Sequence, residues 1–409
     1  MRRRQAFKYE LMPNGEQARD MHRIAGSCRF VYNQALALQK THYSAGGRYI
    51  GYVAMANRLP EWKRQWAWLK DSPSQALQHA LKNLEQAYKN FFEKRAAFPR
   101  FKKRGMGDGF RYPQGFKIDE AHDRLFLPKL GWMRYRNSRK IVGEAKNITL
   151  SLSGGKWFAS IQTEREVDKA IPSATSAVGI DMGIARFATF SDGRYIAPLH
   201  SFKRHEQRLR RYQRAMSRKV LFSNNWKKAR RRVQKIHTRI GNVRRDFLHK
   251  TSSAISKNHA MVSMEDLQVK NLSRSARGAV RVPGKHVAAK SGLNKAILDQ
   301  GWFEFRRQLT YKLDWMGGRL LIVPSRHTSQ TCPSCGHVSR ENRTTQANFV
   351  CAACSYANHA DVVGAINILE RGHRLLACGE EGSGQDLKIK TKPASMKQEP
   401  TEEIHALAA

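Results

Sequence analysis

Arg319-Leu-Leu-Ile-Val323, Cys332-Pro-Ser-Cys335, Cys351-Ala-Ala-Cys354 and Asp361-Val-Val-Gly-Ala-Ile-Asn-Ile368 follow one another in a single short stretch of the chain. The first is an apolar run of strand length, and the last has its apolar residues at helical spacing. Between them, two C-x-x-C pairs can offer four thiolates to one ion in the tetrahedral geometry that zinc prefers. Sulfur would fill all four positions, so the pattern predicts one structural Zn2+ and no catalytic zinc. His337 and His359 flank the cysteines and read as bystanders. A metal-stapled knuckle therefore interrupts a strand-to-helix passage, and the helix beyond it opens on a carboxylate, Asp361.

Two further apolar runs end in acid: Ala177-Val-Gly-Ile-Asp181 and Ala260-Met-Val-Ser-Met-Glu265. One such acid means little, because carboxylates commonly cap helix N-termini and close strands. Three together meet a specific need. Phosphodiester hydrolysis uses two divalent cations about 4 Å apart, and Mg2+ asks for hard oxygen ligands. Asp181, Glu265 and Asp361 are thus the candidate catalytic residues and the candidate ligands of two Mg2+ ions. Without metal, such a cluster would repel itself and raise at least one pKa. Asp266 follows Glu265 and points to the opposite face of a strand, while Ser191-Asp192-Gly193 is a hairpin turn.

Composition bounds the partner. The 409 residues include 74 Lys and Arg against 33 Asp and Glu, a formal charge of +41. Self-repulsion on that scale is relieved by a polyanion, and nucleic acid is the obvious one. No apolar run is long enough to span a bilayer, and Met1-Arg-Arg-Arg4 is not followed by the apolar core of a secretion signal. Cys28 and Cys378 stand apart from the paired cysteines, a reduced intracellular pattern. The length predicts two or three domains.

The remaining chain sorts by period. Gln5–Met12 reads as a strand stopped by Pro13-Asn14-Gly15, and Ala18 to Val31 as a helix. Ser72-Pro73 predicts an N-cap with proline at the first helical position, ahead of an apolar stripe from Ala76 to Phe92 read as helix core. Five short strands, near 110–112, 124–127, 132–136, 148–152 and 157–163, predict a small barrel or sandwich. Residues 201–250 are helical and densely basic, with only Glu206 and Asp246 to pair, so Arg208, Arg211, Lys227, Arg230 and Arg231 read as a phosphate-tracking surface. A flexible loop is expected over 273–292, one helix from Leu293 to about Met316, and a disordered tail over 379–409.

Several motifs now stand in order: Gly179-Ile-Asp-Met-Gly-Ile184, Ser263-Met-Glu-Asp-Leu267, Gly292 to Trp302, Ser325 to Gly336 and Asp361 to Ile368. With them the chain resembles the TnpB (OrfB) family of transposon-encoded RNA-guided nucleases, relatives of type V CRISPR effectors. The resemblance covers about residues 5–372. It implies an α+β multidomain protein: an RNase H-like (RuvC) α/β nuclease domain with an inserted zinc ribbon, and an N-terminal β-barrel wedge domain carrying a helical recognition insertion. The implied boundaries are 1–15 and 96–170 for the wedge, 16–95 for recognition, 171–326 and 359–378 for RuvC, and 327–358 for the ribbon.

The resemblance further implies a guide RNA from the element's end, and double-stranded and single-stranded target DNA cut beside a short motif. It makes Asp181, Glu265 and Asp361 the RuvC triad and Cys332, Cys335, Cys351 and Cys354 the ribbon ligands, and it sets Ser74, Gln75 and Gln78 near the DNA motif. It implies a cytoplasmic protein of the bacterial or archaeal nucleoid, with no membrane partner; monomer or dimer stays open. Val363-Gly364-Ala365 departs from the Asn-Ala-Ala of many relatives, and Ser355 stands where glycine is common. Three rival readings are a nuclease-inactive RNA-guided repressor, a transposase, and a non-enzymatic basic zinc-ribbon RNA-binding protein. The first predicts a missing acid, and the last leaves three well-placed acids unexplained.

Overall fold

A computed structural model describes residues 1–168, 170–279 and 281–377. The expected disordered tail and Cys378 lie outside them. The chain divides into two compact units: Met1–Ala170 with His200–Phe247, and Ile171–Leu199 with the chain from Leu248 onward. Residues 200–247, counted with the nuclease domain in the sequence reading, cluster with the first unit.

In the first unit, β1 (Arg2–Met12) buries alternate residues Phe7, Tyr9 and Leu11, as a half-buried strand must. Asn14 then caps α1 (Gly15–Ser44): its side chain accepts from the Gln17 amide at 2.8 Å, and the Gln17 side chain accepts from the Asn14 amide at 3.1 Å. The short helices α2 (Tyr52–Ala56) and α3 (Leu59–Gln65) lead to α4 (Ser74–Phe92). Its N-cap is Pro73 and not Ser72, because Pro73 keeps an extended ψ of 126° and Ser72 before it is extended too. The stripe from Ala76 to Tyr88 is buried, but Phe92 is exposed, stacked on Tyr88 at the helix end.

The strands that follow are β2 (Gly109–Tyr112), β3 (Lys117–Asp119), β4 (Arg124–Leu127), β5 (Gly131–Tyr135), β6 (Glu144–Ser153) and β7 (Lys156–Glu166). Their order is β2-β6-β7-β1-β5-β4-β3, and all the pairings are antiparallel. No ladder joins β2 to β3 among the described residues, so hydrogen bonds leave this sheet open where a barrel would close it. α5 (Glu206–Ser217) and the part of α6 (Asn224–Asn258) up to Phe247 follow, with Leu209, Val233, Ile236 and Ile240 forming a small core under a basic exterior.

The second unit is built on one sheet: β8 (Ala177–Asp181), β9 (Ala188–Phe190), β10 (Tyr195–Ile196), β11 (Met261–Glu265) and β12 (Arg319–Val323), in the order β10-β9-β8-β11-β12. β8, β11 and β12 run parallel, and β9 and β10 form an antiparallel hairpin. Between β11 and β12 come α7 (Val269–Leu272), α8 (Val287–Gln300) and α9 (Trp302–Trp315). The single helix expected from Leu293 is therefore two, broken at Gly301, whose φ of +74° no other residue type adopts readily. The expected loop over 273–292 is also shorter, because its last residues already belong to α8.

The hairpin of β13 (Asn348–Val350) and β14 (Ala357–His359) precedes α10 (Ala360–Ala377), which packs on β8 and β11. Two glycines permit that approach: a Cβ at Gly179 would strike the Ala365 carbonyl, and one at Gly372 the Ser263 hydroxyl. No helix among the described residues is long and apolar enough to cross a membrane.

Candidate active site and metal centre

Asp181 and Glu265 occupy matching ends of adjacent parallel strands, one residue beyond the Met264–Ile180 pair. The carboxyl ends of such strands are where an α/β sheet opens onto a crevice. Asp361, in the first turn of α10, joins them there: the charges of Glu265 and Asp361 both bear on Asp181. Burial is the larger cause, and together these effects push the Asp181 carboxyl up to about 7. Burial also raises Glu265, partly offset by the Thr328 hydroxyl that donates to its Oε1.

Among the described residues, only four cysteines bring three or more metal-type ligand atoms within 4.8 Å of one another. A pair of cations about 4 Å apart needs room among the three carboxylates. Gly364 holds part of that space: a Cβ there would lie 3.2 Å from Asp181 Oδ2. Hard carboxylate donors around a site that a methyl group would crowd fit a divalent cation such as Mg2+.

Four residues frame the acids. Arg343 Nη2 stands 3.8 Å from Asp361 Oδ1 and donates to the Gln346 carbonyl at 2.9 Å. His359 Nδ1 accepts from the Asp361 amide at 3.2 Å, so that nitrogen is unprotonated and its 3.8 Å approach to Asp361 Oδ2 is no ion pair. Asn367 donates to the Thr328 and Thr331 carbonyls at 2.7 and 2.8 Å, clamping the chain before the knuckle onto α10. Arg371 donates to the Pro324 carbonyl at 2.8 Å. His359, a bystander to the cysteines, is thus a neighbour of the acid cluster. Thr328 and Asn367 lie inside two motifs quoted above, and nothing in local pattern marks them.

The quartet assembles as its spacing predicts. Cys332 Sγ lies 3.6 Å from Cys354 Sγ, and Cys335 Sγ lies 3.6 Å from Cys351 Sγ. A disulfide would bring the sulfurs to about 2.05 Å. A tetrahedron of Zn–S bonds of about 2.3 Å has edges near 3.8 Å, so four thiolates at this spacing fit zinc. Asn342, fully buried, ties the knuckle together: its side chain donates to the Gln330 and His337 carbonyls and accepts from the Ala352 amide.

The predicted nucleic-acid residues lie in the first unit. Arg208, Arg211, Lys227 and Arg231 are exposed, while Arg230 is half-buried over the Trp226 ring at 5.4 Å. Ser74 and Gln78 are exposed and Gln75 half-buried at the start of α4, with Lys63 donating to Ser74 Oγ at 2.7 Å.

Comparison with known proteins adds three profile matches: "Probable transposase" over residues 160–276, "Cas12f1-like, TNB domain" over 302–368, and "Helix-turn-helix domain" over 1–48. The last covers β1 and α1, a strand and one long helix. The chain is 56% identical over 411 residues, 100% of each chain, to "Putative RNA-guided DNA endonuclease InsQ" of Escherichia coli K12. It is 35% identical over 407 residues, 97% of this chain and 96% of the relative, to a similarly named protein of Streptomyces pristinaespiralis. A Cas12f1 chain, solved with sgRNA and target DNA, shares the fold at a TM-score of 0.51 with 13% identity, over 87% of this chain and 83% of that one. Full-length identity at this level settles descent: the chain belongs to the TnpB (OrfB) family of transposon-encoded RNA-guided nucleases, related to type V CRISPR effectors.

Proposed function

We propose that the protein is an RNA-guided DNA endonuclease that hydrolyses target DNA beside a short motif. One observation carries the reading: three carboxylates from distant parts of the chain share a half-buried site that raises the pKa of Asp181. Acids grouped at such electrostatic cost call for cations, and Asp181, Glu265 and Asp361 would hold two Mg2+ ions. Bound there, divalent cations supply an activated water and steady the leaving oxygen. The chain's own residues prepare the site. Asp181 and Glu265 carry the charge that attracts the cations, Thr328 orients Glu265, and Arg343 offsets part of the charge on Asp361. Cys332, Cys335, Cys351 and Cys354 would hold one structural Zn2+, which leaves them no part in the chemistry.

The partners follow from charge and kinship. A formal +41 suits a guide RNA and a DNA target, and relatives along the whole chain carry the name RNA-guided DNA endonuclease. In this reading the RNA derives from the element's end, and α4, with Ser74, Gln75 and Gln78, meets the motif duplex. Arg208, Arg211, Lys227, Arg230 and Arg231 follow phosphates. The second unit acts as an RNase H-like RuvC domain with the cysteine knuckle inserted, and the first supplies wedge and recognition parts in the cytoplasm of a bacterial cell. The repressor reading is disfavoured because no acid is missing.

The test is cleavage by protein copurified with its RNA, with Mg2+ present or chelated. Asp181→Ala is expected to abolish cutting while RNA and target binding persist, since the acid holds metal and not phosphate. Cutting at an undiminished rate would reject the assignment.

A further inference from the structure

A groove of about 490 Å³ lies beside the acid cluster in the second unit. The β9–β10 hairpin contributes Tyr195, the turn before it Arg186, and the start of α10 with the residues before it Asn358, His359 and Val362. We propose that this groove binds a nucleobase of single-stranded DNA, stacked on Tyr195 and steadied by Arg186, next to the site of cutting.

Tyr195 is 57% exposed, although hydrophobic burial would favour covering so large a ring. The Arg186 guanidinium sits 4.4 Å from the Tyr195 ring centroid. That arrangement pairs an aromatic face with a cation, the combination that holds single strands regardless of sequence. Its neighbour on the hairpin is committed elsewhere: Arg194 pairs with Asp192 at 2.6 Å. Arg186 has no carboxylate partner among the described residues, so its charge remains available for a phosphate. The same Arg194–Asp192 pair neutralises the one acid on the groove's rim, which would otherwise repel a phosphate backbone.

The groove also leads to the acids. His359 lines it and stands 3.8 Å from Asp361 Oδ2. Because its Nδ1 accepts from an amide, Nε2 carries the ring proton and can donate to a base or a phosphate. A base within a duplex has both faces covered by its neighbours, whereas an unpaired one can lay a face on Tyr195. The ligand is therefore single-stranded. The place given to this base in the reaction rests on the cleavage reading above, but its binding does not.

The experiment uses the full chain with its copurified RNA and DNA oligonucleotides carrying 2-aminopurine at successive positions. Fluorescence should be quenched at one position, kept by Tyr195→Phe and lost in Tyr195→Ala, with affinity for the single strand about tenfold weaker. Arg186→Gln should weaken binding several-fold and flatten its salt dependence. Zinc content equal to that of the unsubstituted protein reports that each variant is folded. Absence of quenching at every position, or equal affinity in the Phe, Ala and Gln variants, overturns the proposal. So does quenching by RNA of the same sequence with none by DNA. Stacking without cutting would reject the cleavage reading and keep this one; cutting with an unchanged KM in Tyr195→Ala and no quenching would do the reverse.

Discussion

The second unit holds two groups of metal-type ligands that differ in almost every respect. The four cysteines come from one short segment and draw within 4.8 Å of one another, with Cys332–Cys354 and Cys335–Cys351 each at 3.6 Å between sulfurs. The three carboxylates come from two strands and a helix far apart in the chain, with Asp181 burdened by its neighbours' charge. A closed set of soft ligands makes a staple. An open set of hard ligands keeps coordination positions for water and substrate, and it carries repulsion until cations arrive. The two are joined through the chain, since Arg343, from within the knuckle, reaches Asp361.

The largest expected effect comes from breaking the closed set. Metal analysis of the purified protein is expected to find about one zinc, lost in Cys332→Ser, and residues 327–358 should then become open to protease. Cutting should fall to background, because Arg343 loses its support. Asp181→Ala should also end cutting yet keep the zinc and the protease resistance. Equal zinc loss in both variants would erase the distinction between the two groups.

Next comes the repulsion in the open set, visible as stability in metal-free protein. The folded Asp181 carboxyl holds its proton up to about pH 7, against 3.8 for an ordinary aspartate. The folded state therefore binds more protons between those limits, and stability falls as pH rises through that window. Asp181→Asn removes the penalty. It should stabilise metal-free protein by on the order of 2 kcal/mol at pH 8 and by almost nothing near pH 4. Added Mg2+ should reverse the order at pH 8 by stabilising only the unsubstituted protein. A variant no more stable than its parent at pH 8 would mean that the carboxylates do not strain the fold.

A third comparison separates the room around the acids from the fold. Gly364→Ala places a Cβ 3.2 Å from Asp181 Oδ2, so the carboxylate has to shift by a few tenths of an ångström. Alanine in a helix interior gains roughly 0.5–1 kcal/mol over glycine. The melting temperature should therefore hold or rise, while the Mg2+ concentration for half-maximal cutting increases several-fold. An unchanged Mg2+ requirement would show that Gly364 serves helix packing alone.

What the sequence disclosed follows the same division. Cysteine spacing is local, so the staple was legible from residue order, and each acid was legible because it ends an apolar run or opens a helix. Two of the helix boundaries that moved depend on backbone conformation at one residue, Pro73 and Gly301. β3, three residues long, offers too little alternation to notice, and Phe92 lies at a helix end where the apolar stripe outruns the core. The open edges of the seven-stranded sheet are a matter of which strands pair, about which strand propensity is silent. The neighbours of the acids were hidden for a related reason. Thr328 reaches Glu265 only once the chain before the knuckle is clamped onto α10, a contact between segments that no periodicity records.

Thr328 links the two groups, because it sits four residues before Cys332 yet serves Glu265. Its side chain is almost fully buried, and Asn367 fixes its backbone carbonyl at 2.7 Å. Thr328→Val keeps the shape and removes the one donor. Burial already raises the Glu265 carboxyl, and the hydroxyl opposes that rise, so its loss lets Glu265 hold a proton to still higher pH. Metal binding needs the ionised acid. The rising limb of the cutting rate against pH should therefore move upward, with a loss of several-fold at neutral pH and recovery at higher pH. Zinc content should not change. A loss that is the same at every pH would mean that Thr328 only positions the chain, and a lost zinc would mean that the staple and the acids are a single structural element.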